Sequence, residues 1–192
     1  MFPDSPNAAG FLDHSPLSTG RFSPVGNNRE SGLPPVVGSD PRILIIGSFP
    51  SKTSLSEGRY YANPRNQFWQ VMKALLGLPE GKSLAWYEQA LPDHGIALWD
   101  LIASRRYQDG SLDGKIRDPI LNDVPGFVRD HPTIQYIGLN GGKAKTCFKV
   151  VWRGPDLPPV SVLFLPSTSP ANARYSFDEK RKRWREILGQ AR

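Results

Sequence analysis

The apolar positions of the chain follow two periods. Ile43-Leu-Ile-Ile46 is a continuous, β-branched-rich run ending at Gly47, the pattern of a strand buried on both faces. Phe68, Val71, Met72, Leu75 and Leu76 then recur at helical spacing within Gln67–Leu76, and Gly77 stops the stripe. Ser83–Leu91 reads as a second helix with Ser83 as its N-cap. Ile96–Leu98 predicts a short strand, Val124–Asp130 a short helix and Ile134–Leu139 another strand. Gly142–Val151 reads as a helix, Val160–Leu165 as a fourth strand and Phe177–Gly189 as a closing basic helix. Strands alternating with helices need crossover connections. The expected fold is therefore α/β, three αβα layers around a central, mainly parallel four-stranded sheet. Residues 1–35 are rich in Pro, Ser, Gly and Asn and show neither period. Such a segment buries too little to offset its ordering entropy, so it reads as a flexible N-terminal tail ahead of a domain over 36–192.

Composition narrows the classes of function. A chain of 192 residues fits one domain plus a tail, and 39% hydrophobic with 22% charged residues supplies one substantial core. Lys and Arg number 24 against 18 Asp and Glu, a net +6 that suits a polyanionic partner. Cys147 is the single cysteine, which excludes a disulfide framework, a Cys-ligated zinc and an iron–sulfur cluster within one chain. His14, His94 and His131 fit no ligand spacing, so neither a metal nor an organic cofactor is expected. No apolar run approaches the roughly 18 residues of a membrane span, and the first residues lack a signal peptide's basic and apolar regions. The expectation is a soluble, cytoplasmic protein, nucleoid-associated in a bacterium, with no membrane contact and no need of more than a monomer.

Parallel sheets bind ligands at the carboxyl ends of their strands. Behind the first strand lies Gly47-Ser48-Phe49-Pro50-Ser51, then Tyr60-Tyr-Ala-Asn-Pro-Arg-Asn-Gln-Phe-Trp69. Gly47 lets the backbone approach a ligand and Pro50 stiffens the turn. Trp99 and Asp100 follow the second strand, and Asn140-Gly-Gly-Lys143 the third. The fourth leads into Leu165-Pro-Ser-Thr-Ser-Pro-Ala-Asn-Ala-Arg174, whose hydroxyls and backbone N–H groups are of the kind that hold nucleic-acid phosphates. Each loop alone reads as an ordinary turn; four on one sheet edge point to a site.

Gly47-Ser-Phe-Pro, Tyr61-Ala-Asn-Pro-Arg-Asn-Gln-Phe-Trp69 and Leu165-Pro-Ser-Thr-Ser-Pro-Ala-Asn172 together resemble the uracil-DNA glycosylase superfamily. The similarity is greatest to its hypoxanthine-DNA glycosylase branch, and the mismatch-specific uracil/thymine glycosylases carry a related segment. It runs from about Leu33 to the C-terminus. The resemblance implies a DNA partner, a target nucleotide flipped into a pocket and replacement of the base at C1′ by water. An oxocarbenium-like transition state with an anionic leaving base needs charge stabilisation and an oriented water more than a strong nucleophile. Relatives place the water-positioning acid or amide third in the Gly-x-(Asp/Asn)-Pro turn. Here that residue is Phe49, which can do neither.

The nearest polar substitutes are Asn66 and then Asn63, whose carboxamides can orient water without ionising it; helix capping is the alternative for Asn66. Tyr61 falls where relatives stack an aromatic on the flipped base, with core packing as the alternative. Asp100 stands where relatives read the base edge. As an acceptor it would take N3–H of uracil or N1–H of hypoxanthine and reject adenine N1 and cytosine N3; its alternatives are a cap or a pair with Arg105. Gly47, Ser48, Phe49 and Asn140 complete the expected base pocket. Ser167 and Ser169 correspond to phosphate-gripping positions, and Pro50 and Ser51 are expected among the DNA-binding residues. Thr168, Pro170 and Ala171 would wedge into the vacated stack, and Lys143 and Arg174 would contact the backbone. Arg174–Arg192 holds seven Lys/Arg and three Asp/Glu, net +4, most of it read as a solvated helix face. The expected function is a monofunctional glycosylase for a deaminated base. A damage-binding protein that has lost the chemistry, as Phe49 would permit, is the alternative, and an unrelated phosphate-binding α/β protein the third reading.

Overall fold

The computed structural model describes residues 29–106 and 117–191. Strands β2 (Ile43–Gly47), β3 (Ile96–Asp100), β6 (Tyr136–Asn140) and β7 (Ser161–Leu165) form one sheet in the order β3-β2-β6-β7, with every pairing parallel. The residues of β2 have no exposed surface from Ile43 to Ile46. Their alternation divides the core: Ile43 and Ile45 face Phe68, Val71, Met72 and Trp184, while Leu44 and Ile46 face Val124, Val128, Ala144 and Phe148. Helices α2 (Phe68–Leu76), α3 (Leu84–Ala90) and α6 (Phe177–Leu188) therefore lie on one face, and α4 (Val124–Asp130) and α5 (Gly142–Val151) on the other. This is the three-layer αβα arrangement the sequence predicts. Each burial of a core aliphatic side chain contributes about 1.5–3 kcal/mol, which makes β2 the anchor for everything at its carboxyl end.

Two additions go beyond the sequence reading. A short helix, α1 (Lys52–Glu57), follows the turn after β2, capped by the Ser51 hydroxyl accepting from the Ser54 amide at 3.1 Å. A second sheet, antiparallel, joins β1 (Arg29–Ser31), β4 (Ile102–Arg106) and β5 (Arg117–Leu121) in the order β1-β4-β5. The chain passes from β3 into β4 through Leu101, whose amide donates to the Gly47 carbonyl. β1 stands inside the stretch read as tail, and Leu33 and Val36 beyond it pack on the core. Residues 1–28 lie outside the described residues. Among the described residues no helix is long and apolar enough to cross a membrane.

Candidate active site

A cavity of about 190 Å³ opens where the carboxyl ends of β2, β3 and β6 meet the loop after β7. It is smaller than the roughly 300–1,000 Å³ of pockets for drug-sized ligands, a size suited to a single heterocycle. Its walls bring together Gly47–Ser51, Tyr61, Asn66, Asp100, Asn140 and Ser167–Ser169. A larger cleft of about 980 Å³ lies at the amino ends of the strands, around Arg42, Gly95 and Leu188. Its charged side chains Asp40, Arg42, Asp93 and Arg185 are exposed, whereas the small pocket gathers the strand-end residues that the sequence singles out.

Asp100, the last residue of β3, is 4% exposed, and its Oδ2 has no hydrogen-bond partner among the described residues. Burial raises this carboxyl to about 7. Buried polar atoms are almost always partnered, so an orphan oxygen in a pocket wall marks a place for a ligand donor. The possible pair with Arg105 is not formed. Arg105 instead binds Glu30 of β1 at 2.8 Å and lies 4.5 Å over the Phe49 ring, so the small sheet fixes Phe49 in the wall. Gly47 explains how Asp100 fits: a Cβ there would stand 2.2 Å from Asp100 Oδ1 and 3.2 Å from the Tyr61 hydroxyl. Gly47→Ala is expected to lower stability by about 1–3 kcal/mol through overpacking. It should also displace Asp100 from the pocket wall. Thermal melts check the loss of stability.

Tyr61 adopts φ +53°, a left-handed backbone that costs a side chain of this size on the order of 1 kcal/mol or more. Its neighbour Tyr60 is clamped on three sides. The buried Glu88 accepts from the Tyr60 amide at 2.5 Å and from Arg59 at 2.9 Å, and Trp69 Nε1 donates to the Tyr60 carbonyl at 3.0 Å. The Tyr60 hydroxyl donates to the Pro34 carbonyl at 3.1 Å. So held, the Tyr61 ring stacks on Phe68 with centroids 3.9 Å apart and also lines the pocket, which joins the packing role to the site role. Its hydroxyl accepts from Asn140 Nδ2 at 3.1 Å, and burial pushes its phenol well above the ordinary value.

Asn140 donates through the same nitrogen to Thr168 Oγ1 at 3.0 Å, and its Oδ1 accepts from the Thr168 amide at 3.0 Å. Both N–H groups of Asn140 are thus engaged in positioning Tyr61 and the loop after β7. Thr168 is fully buried, which removes it from the wedge; the exposed tip is Pro170 and Ala171. Pro50 likewise is buried and lines the pocket from inside, while Ser51 is exposed and caps α1. Ser167 and Ser169 are half-buried, their hydroxyls accepting from the amides of Ser169 and Ala171.

The two asparagines separate. Asn66 lines the pocket, and its Oδ1 accepts from the Phe68 amide at 3.0 Å, a local turn bond ahead of α2, whose N-cap is Gln67. Its amide N–H groups meet no acceptor among the described residues, leaving them and one oxygen lone pair for a pocket occupant. Asn63 stays in its own turn, accepting from the Arg65 amide at 2.9 Å, outside the pocket lining. Lys143 and Arg174 are exposed in a neighbouring groove.

Sequence reasoning missed Glu88 and Lys180, since buried charges inside amphipathic helices resemble exposed ones in a one-dimensional pattern. Lys180 is 3% exposed and donates to Gln67 Oε1 at 2.8 Å and to the Asn172 carbonyl at 3.0 Å, tying the Asn66 segment to the loop after β7. Lys180→Met should orphan both acceptors and cost roughly 2 kcal/mol. A thermal melt checks the loss, and Lys180→Arg, which keeps a donor, should recover part of it.

A small pocket at the carboxyl ends of a parallel sheet, walled by a Pro-Ser loop and an aromatic–Asn segment, is what this α/β fold presents. Comparison with known proteins agrees. The model of the "Uracil DNA glycosylase superfamily" matches residues 34–188. The chain is 33% identical over 160 residues to a hypoxanthine DNA glycosylase of Methanosarcina acetivorans, covering 82% of this chain and 96% of that one. It is 25% identical over 172 residues to a G/U mismatch-specific uracil DNA glycosylase of Schizosaccharomyces pombe, covering 80% of this chain and 51% of that relative. The solution NMR structure of a proposed uracil DNA glycosylase from M. acetivorans superimposes with a TM-score of 0.73 at 30% identity, over 85% of this chain and 98% of that one. The chain belongs to the uracil DNA glycosylase superfamily.

Proposed function

We propose that the protein is a monofunctional DNA glycosylase that removes a deaminated base, uracil or hypoxanthine, and leaves an abasic site for base excision repair. The observation that carries this is the orphan oxygen of Asp100 in a one-base pocket that Asn66 also lines. A flipped base would rest on Tyr61, where stacking is worth about 1–3 kcal/mol. Uracil and hypoxanthine both offer an N–H beside a carbonyl, and Asp100 would accept that N–H. Asn66 would hold the water that attacks C1′. The water oxygen bonds to C1′, the glycosidic pair leaves with the base, and the water's proton passes to solvent. Phe49 takes no part in the proton chemistry; with Arg105 behind it, it is wall. Ser51, Ser167 and Ser169 would hold the flanking phosphates, and Pro170 and Ala171 would fill the vacated stack. The enzyme would act as a monomer inside the cell.

The test is a set of matched oligonucleotides carrying one uracil, hypoxanthine, xanthine or thymine mismatch, single- and double-stranded, incubated with protein and then cleaved with alkali. Cleavage at uracil or hypoxanthine, with no covalent trapping by borohydride, supports the reading. Trapping would indicate a Schiff-base lyase step. No cleavage with retained binding to damaged strands would favour the damage-binding alternative that Phe49 keeps open.

A further inference from the structure

A groove of about 900 Å³ runs from the small pocket across the start of α5 to Tyr175 and to Arg183 in the middle of α6, sharing Ser48, Asn140, Ser167 and Ser169 with that pocket. Its lining holds four cations, Lys143, Lys145, Arg174 and Arg183, and no carboxylate. None of the four has an ion pair within 4 Å among the described residues. Glu179, one turn before Arg183, draws on it electrostatically, but its carboxylate is engaged in the α6 capping box with Ser176. Aromatic rings hold three of these cations instead. Lys145 Nζ sits 4.2 Å over Phe164, and the Arg174 and Arg183 guanidiniums lie 5.5 and 5.0 Å from the Tyr175 ring. Ring faces attract cations without neutralising them. The charges are therefore oriented before any anion arrives, which lowers the ordering cost of binding. Phe164 is 54% exposed on the edge strand β7, a position that packing does not explain and that serving as a seat for Lys145 does.

We infer that this groove seats the phosphodiester backbone of one arm of the damaged strand, on a single side of the flipped nucleotide. The inference rests on the glycosylase reading above and adds to it a set of preset charges along one side of the flipped nucleotide. It also changes the account of the C-terminal helix, whose Arg183 belongs to a binding groove and not to a merely solvated face.

The experiment measures affinity for an oligonucleotide with a stable abasic analogue as a function of salt. The double variant Lys145→Gln/Arg183→Gln should bind about 10- to 100-fold more weakly at low salt. Its log K against log[salt] slope should be shallower by roughly 1.4–1.8, the value for two lost phosphate contacts. A control, Lys149→Gln/Lys182→Gln, removes the same charge from exposed positions of the same helices outside the groove and should leave the slope unchanged. Shortening the oligonucleotide to two nucleotides on one side of the lesion should abolish the difference between native and variant protein. Shortening the other side should preserve it. An unaltered slope, an equal effect in the control, or equal sensitivity to both arms would overturn the inference. A native protein that neither cleaves nor binds damaged DNA would instead remove the glycosylase reading itself.

Discussion

Asp100→Asn is expected to melt at higher temperature than the native protein at pH 8.5, and the gain should vanish near pH 5. The Asp100 carboxyl titrates at about 7 in the folded chain, against 3.8 for an ordinary carboxylate, because burial penalises its charge. Between those values the native state keeps a proton that the unfolded chain releases. Stability of the native protein therefore falls as pH rises from about 4 through about 7 and stays low above that. The penalty is on the order of 4 kcal/mol. A buried Asn amide leaves its own donors imperfectly satisfied and returns about 1–3 kcal/mol of this. A net gain of about 2 kcal/mol corresponds to roughly 4–8 °C for a chain of this size.

The same substitution bears on chemistry. In the proposed role an ionised Asp100 would accept the base N–H but repel negative charge developing on the leaving base. Its protonated form would accept the N–H and donate to the adjacent carbonyl. The single-turnover rate of the native enzyme should therefore fall as pH rises through about 7, with the inflection absent in Asp100→Asn. A wild-type profile flat across that range, or an unchanged inflection in the variant, would separate Asp100 from the base.

Asn66→Ala has the largest expected effect on rate. Removing one preorganised group that serves the transition state typically costs 10²- to 10³-fold, and the single-turnover rate at saturating enzyme should fall by about that factor. Affinity for abasic-site DNA should stay within about twofold, since the groove and serine loop are untouched. Asn66 Oδ1 also accepts from the Phe68 amide, so the alanine variant loses about 0.5–1.5 kcal/mol of stability with that hydrogen bond. Asn66→Asp keeps an acceptor for that amide and for water, and should recover the stability and part of the rate. An alanine variant as fast as the native enzyme would move the water to another group.

Much of this was legible in the sequence, for a physical reason. The centre of the parallel sheet is buried on both faces, so Ile43–Ile46 reads as an apolar run and Ile134–Leu139 as a strand whatever surrounds them. Helix α4 was bounded by Asp123 and Pro125, whose cap and first-turn preferences are local. The antiparallel sheet was not legible. β1 is Arg-Glu-Ser, β4 ends Ser-Arg-Arg, and β5 contains Pro119 and the positive-φ Asp118, so none of the three shows a strand period. α1 buries only Ser54 and carries no apolar stripe. In the site, the strand-end rule and the motif located Gly47, Tyr61, Asn66 and Asp100 together. It could not tell that Asn140 is internally engaged, that Thr168 is buried, or that Arg105 serves Phe49 and not Asp100, because those depend on partners 28 to 75 residues away.

The pocket is stitched from stretches far apart in the chain, and that sets when it can exist. Its first wall, Gly47–Ser51, leaves the ribosome early, yet Phe49 waits for Arg105, and Asn140 waits for Thr168. Until the loop after β7 has been synthesised, no part of the growing chain has a closed base pocket. A nascent or prematurely terminated chain is therefore not a weak version of the enzyme; it lacks the closed pocket, which forms only when nearly the whole domain has been made.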